Sequence, residues 1–179
     1  MPLVLSRNDL MIERLAEREL NTKFGRFTEI LYHDGLRESI ALVMGIVGGR
    51  QNVLCRVHSA CIGGHVFNSI ECTCAEEMAS AQKDIQRVGR GVIIYLEQEG
   101  KGNGHLALIE SIRFKKAGKS QSEAYELAGY SADARDYREA AEILKDLGVS
   151  SIVLISEGRR KAEELGKLGV KISSSEDEK

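Results

Sequence analysis

Residues 91–104 read GVIIYLEQEGKGNG, and this stretch decides the fold. Its first half is a short apolar run with no polar face, as a strand covered on both sides requires. Its second half places glycines at 100, 102 and 104 directly ahead of a helical pattern over 106–117. A buried, central strand that runs through a glycine-rich loop into a helix is a unit of an α/β domain.

Working outward, FTEILYHD (27–34) and ESIALVMGIV (38–47) flank DGLR and predict a hairpin, with NVLCRVHSA (52–60) as a third strand. Residues 75–88 carry Met78, Ala81, Ile85 and Val88 at helical spacing, and Gly89 and Gly91 close that helix. Beyond the glycine loop the pattern predicts a short helix over 122–127 and a clearer one over 137–147, closed by Gly148. SIVLIS (151–156) reads as a buried strand. A helix over 159–168 ends at Gly169, and VKISS (170–174) is a candidate edge strand. The expected fold is mixed α/β, a β-rich N-terminal half followed by alternating strands and helices. It forms a single domain over 1–172 with a flexible polar tail, SSSEDEK, over 173–179.

A length of 179 residues suits one domain with a real core. The net charge of −2 argues against a general nucleic-acid binder, which is normally basic. No apolar run approaches the roughly 20 residues that span a bilayer, so no membrane partner is expected. The start, MPLVLSRNDLMIERLAER, mixes charges too early for a signal peptide. The expected location is cytoplasmic, where thiols stay reduced.

That matters because Cys61, Cys72 and Cys74 lie in CIGGHVFNSIECTC. Three thiolates are a soft set suited to zinc, and three ligands leave a tetrahedral position open for water. The alternative is three small buried apolar residues. Cys55, inside the apolar strand, reads as core. In EGKGNG the glycines either turn the chain tightly or aim successive amides at an anion. In SADARDY, either Asp133 or Asp136 caps the following helix, or Asp133 and Arg135 pair an acid–base carboxylate with a phosphate-binding guanidinium. GRRK (158–161) follows a strand end and is either a solvated basic turn or a triphosphate anchor. His58, His65 and His105 read as polar neighbours of the metal site rather than ligands.

Taken in order, RVHSAC, CTC, EQEGKGNG, SADARDY and GVSSIVLIS resemble the GTP cyclohydrolase II family, over nearly the whole chain. The resemblance implies a zinc-dependent hydrolase of riboflavin biosynthesis. Such an enzyme opens the imidazole ring of GTP and releases formate and pyrophosphate. It implies one Zn2+ per chain on Cys61, Cys72 and Cys74, Mg2+ with the triphosphate, and a homodimer. Asp133 matches the proton acceptor and Arg135 the position assigned as nucleophile toward the α-phosphate. A permanently charged guanidinium is better suited to stabilising charge. Substrate contacts are implied at Arg56, Val57, His58, Ser59, Glu77, Glu99, Gly100, Lys101, Ser156 and Lys161.

The chain also departs from the family pattern. Ala60 stands for Glu, Glu77 for Gln, Lys101 for Arg, Ile112 for Tyr, Gln121 for Thr, and Glu157-Gly158-Arg159 for Asn-Asn-Pro. Ser156 stands where Thr is usual. Because hydrogen-bonding sites discriminate strongly, these exchanges predict altered selection around the base. Two further readings stay open beside GTP hydrolysis. One is a paralogue that hydrolyses another nucleotide or stops at a formamide. The other is a zinc-stabilised nucleotide-binding module without catalysis.

Overall fold

The structure is a computed structural model that describes residues 12–155 and 159–173. In chain order its strands are β1 (Glu13–Thr22), β2 (Gly25–His33), β3 (Glu38–Met44), β4 (Val53–Ser59), β5 (Gly91–Leu96) and β6 (Ile152–Leu154). Its helices are α1 (Ile62–His65), α2 (Cys74–Val88), α3 (His105–Lys116), α4 (Gln121–Leu127), α5 (Arg138–Asp146) and α6 (Arg159–Lys167).

The strands form one six-stranded sheet in the order β1-β2-β3-β5-β4-β6. From β1 to β5 every pairing is antiparallel, whereas β5-β4 and β4-β6 are parallel. The apolar run at 91–96 is therefore central, as its lack of a polar face requires. Successive side chains of a strand face opposite ways. Val92, Ile94 and Leu96 accordingly join a core with Tyr137, with Ala140, Ile143 and Leu144 of α5 and with Leu165 of α6. Ile93 faces the other way, against Ala81 and Ile85 of α2 and Phe27 of β2. The result is a sheet with helices on both faces.

Turn chemistry fixes the joints. Between β2 and β3 the Asp34 carboxylate accepts from the amides of Leu36 and Arg37, both at 2.7 Å. Gly89, at φ 74°, closes α2. Gly91 does not belong to that closure, contrary to the sequence reading. It opens β5, and a Cβ there would lie 2.5 Å from Ile85 Cγ1 and 2.9 Å from the Leu54 carbonyl. Glycine at this point lets α2 approach the sheet.

Parts of the chain differ from expectation. The strand β1, ERLAERELNT, escaped the sequence reading because it has almost no buried face to impose alternation. It is an edge strand held by its pairing with β2 and by ion pairs, among them Arg18–Glu29 and Arg26–Glu19. The VKISS segment contributes a single bridge, Ile172 to Ile152. Ser173, placed in the polar tail, donates to Asn52 Oδ1 at 2.6 Å; 174–179 lie outside the described residues, as do 1–11. Among the described residues no helix is long and apolar enough to cross a membrane.

Candidate active site

Parallel β4 and β5 end side by side, Ser59 opposite Leu96, and the chemistry-bearing segments follow those ends. Clefts beyond the carboxyl ends of parallel strands are the usual place for ligands in such sheets. From β4 the chain passes through Ala60, whose amide continues the ladder to Leu96 O at 2.8 Å. It then enters the metal loop.

Cys61 precedes α1, and Cys74 is the first residue of α2, so two helix starts bracket the loop. The Sγ atoms of Cys61, Cys72 and Cys74 lie within 4.8 Å of one another, with Cys61 and Cys72 3.6 Å apart. Gly64 makes room for them: a Cβ there would sit 2.9 Å from Cys72 Sγ and 3.6 Å from Cys61 Sγ. Burial, then the neighbouring thiols, push Cys74 up, and burial also raises Cys61. Cys61 and Cys74 resist ionisation alone, and a divalent cation held by the three converging sulfurs would reverse that, because coordination deprotonates a thiol outright. The residues therefore fit zinc. Cys55 is fully buried in the sheet and its thiol is pushed up to about 12 by burial, as a core residue.

Arg56 and His58 point from β4 toward the α2 side. The Arg56 guanidinium pairs with Glu77 of α2 and donates to Ile155 O at 3.0 Å and to His58 Nδ1 at 3.3 Å. Burial would raise Glu77, but the Thr73 hydroxyl and Arg56 outweigh it and hold the carboxyl low. His58 is brought down to about 3, by burial first and Arg56 second. A neutral His58 accepting at Nδ1 donates from Nε2, and His65 Nε2 lies 2.9 Å away. Neither histidine stands among the converging metal donors. Val57 contributes its carbonyl, which accepts from Lys161 Nζ at 2.6 Å. Among the described residues Lys161 makes no ion pair. Burial brings its ammonium down to about 8.

The glycine segment forms a 3-10 turn, Glu99–Gly102, in which Gly100 and Lys101 are both left-handed at φ 61° and 55°. Its amides are largely used within the turn: Gly102 donates to Gln98 O, Asn103 to Gly100 O and Gly104 to Glu99 O. What the loop offers outward is side chains. Glu99 accepts from the Ile62 amide at 2.8 Å, tying the turn to the metal loop. Lys101 Nζ donates to Ser122 at 2.9 Å, while its carbonyl accepts from Ala134. Gly102 packs so closely on this last segment that a Cβ would meet Ala134 C and O at 2.7 Å.

Asp133 therefore stands beside the glycine turn. It does not cap α5, whose N-cap is Tyr137; Asp136 instead accepts from the Arg138 amide. Asp133 accepts from Arg135 Nε at 2.9 Å and Nη2 at 2.6 Å, and it also meets Arg160 Nη1 at 2.5 Å. Burial pushes its carboxyl up, but Arg135 and then Arg160 pull it below the usual range. Arg160 was legible only as one cation of GRRK. Ser156, Glu157 and Gly158 lie outside the described residues. Arg159 is exposed at the start of α6.

Of the other departures, Gln121 turns to Ser111 Oγ at 3.1 Å, Ile112 is half-buried on α3, and Ala60 lines a cavity of about 570 Å³ with His65, Tyr95, Glu97, Glu99 and His105.

The family described as GTP cyclohydrolase II matches residues 13–177. A riboflavin biosynthesis protein RibBA of Bacillus cereus is 41% identical over 156 residues, covering 86% of this chain and 39% of that protein. The RibBA protein of Endomicrobium trichonymphae is 35% identical over 169 residues, covering 93% and 42% respectively. The chain thus spans about two fifths of the length of these relatives. Among solved structures, RibBX of A. baumannii, a two-domain 3,4-dihydroxy-2-butanone 4-phosphate synthase, superposes with a TM-score of 0.50 at 21% identity. The match covers 93% of this chain and 41% of that one, and it shows a shared fold.

Proposed function

Because the chain belongs to the GTP cyclohydrolase II family, we propose that it is a zinc-dependent hydrolase that opens the imidazole ring of a purine nucleoside triphosphate, GTP first, with release of formate and pyrophosphate. The observation that carries this reading is the convergence of three sulfurs on a loop tied through Glu99 to the turn that holds Lys101, whose carbonyl in turn accepts from the Ala134 amide next to Asp133. Zinc, when bound by Cys61, Cys72 and Cys74, supplies a water acidified to a pKa near ~7. The chain's own groups supply the rest. Lys161, Lys101 and Arg56 are the cations that receive the phosphates, Mg2+ accompanying the triphosphate. Asp133 takes up a proton, and Arg135 stabilises charge at the phosphate from which pyrophosphate leaves. Ser59, Gly100 and Ser156 are the remaining substrate-contact positions that the family resemblance implies. The protein works as a cytoplasmic homodimer in riboflavin biosynthesis, with one zinc per chain.

A second reading rests on Glu77. Its carboxylate is engaged by both Arg56 and Thr73, and Gln121 is turned to Ser111, so the base would meet a different set of polar groups. This favours a paralogue that takes another nucleotide or releases a formamide. Zinc-loaded protein is incubated with GTP and a panel of purine and pyrimidine nucleotides, and products are followed by mass spectrometry with Cys72→Ser as control. Formate and pyrophosphate from GTP, lost in the variant, are expected. An intact GTP pool with another nucleotide consumed supports the second reading. Bound zinc with no nucleotide consumed would leave only a binding module.

A further inference from the structure

Arg160 lies in the first turn of α6, yet its side chain reaches across to the 131–137 segment and grips one residue twice. Nη1 meets Asp133 Oδ2 at 2.5 Å and Nη2 donates to the Asp133 carbonyl at 3.2 Å. That carboxylate is already served. Arg135 contacts both its oxygens and also donates its backbone amide to Oδ1 at 3.1 Å. Oδ2 is thus shared by two guanidiniums. Lys101 adds further positive charge, and among the described residues Tyr125 and Tyr137 also interact electrostatically with Asp133.

One carboxylate holding two guanidiniums leaves an excess of positive charge, and the two cations are not held alike. Arg135 is 24% exposed and belongs to Asp133's own loop; Arg160 is 46% exposed and comes from another element. Arg160 is the one free to leave. A polyphosphate offers a guanidinium more charge and more acceptor oxygens than half of a shared carboxylate does. We propose that Arg160 is a positioning residue that clamps Asp133 while the phosphate site is empty and transfers to an arriving polyphosphate. The transfer frees Asp133 to accept a proton only when substrate is present. The proposal rests on the phosphate site assigned above. A carboxylate between two guanidiniums is a weak proton acceptor, and removing one restores its basicity.

The test compares the zinc-loaded full chain with Asp133→Asn, Arg160→Gln and the double variant, using inorganic tripolyphosphate and calorimetry. Arg160→Gln should weaken tripolyphosphate binding roughly tenfold, as loss of a charged contact does. Asp133→Asn should tighten it, and that gain should shrink several-fold once Arg160 is gone, since the clamp no longer competes. An equal gain in both backgrounds overturns the transfer and leaves a structural tie between α6 and the loop. Binding to none of the four proteins would sink the phosphate site itself, a separate result. In parallel, carbon-13 carboxyl NMR follows the Asp133 titration. The midpoint should rise by about one pH unit in Arg160→Gln and return toward the parent value in Arg160→Lys. An unmoved midpoint refutes the clamp.

Discussion

Lys161 puts a positive charge almost fully inside the protein, 9% exposed, with the Val57 carbonyl as its hydrogen-bond acceptor. Its ammonium loses its proton near pH 8 rather than in the ordinary lysine range, with burial as the first cause. Between those values the unfolded chain holds the extra proton, so stability climbs as pH rises through the window, and below about pH 8 the full cost is present. Replacing Lys161 by Met should therefore stabilise the fold at pH 7 by on the order of 2 kcal/mol, after deducting about 1 kcal/mol for the hydrogen bond to Val57. Urea unfolding at pH 7 and pH 10 checks this: the gain should be largest at the lower pH, and nucleotide binding should be lost at both. An equal gain at both pH values would refute the assignment. At this scale the sequence was legible in its residue types and silent on their partners. Asp133 and Arg135 were visible in SADARDY. The reach of Arg160 to the same carboxylate was not, because 27 positions separate the two.

Elements were legible wherever burial imposed a period. The apolar strand at 91–96 and the amphipathic helix α2 were readable for that reason, whereas β1 was not, since a strand with charges on both faces shows no alternation. Its charges suit an edge, where they discourage pairing with other chains. Glycines were the other weak point. The reading placed Gly91 at a helix end, but its role is to let α2 lie close on β5. A Gly91→Ala variant should lose about 1–3 kcal/mol through overpacking, measured as a lower urea midpoint with unchanged slope. Because α2 carries both Cys74 and Glu77, the variant should also retain less zinc when dialysed.

Across the whole molecule, one sheet joins an antiparallel half to a parallel half, and only the parallel half ends in the site. The order of the motifs implied this fold through family resemblance; the strand order itself is visible only in the structure. The metal loop stands outside both cores and exposes Val66, Phe67 and Ile70 at 61%, 70% and 99%. Stripping zinc with a chelator should therefore raise amide exchange across residues 61–74 while α5 and the central strands keep their protection. Uniform loss of protection would mean that the metal organises the entire fold. The bond from Glu99 to the Ile62 amide gives this arrangement a wider meaning. In the proposed zinc enzyme it would make metal loading and the posture of the Lys101 turn two sides of one equilibrium. By reciprocity, whatever steadies that turn must hold the metal more firmly by the same factor. In a cell short of zinc, the chains occupied with nucleotide would be the last to give theirs up.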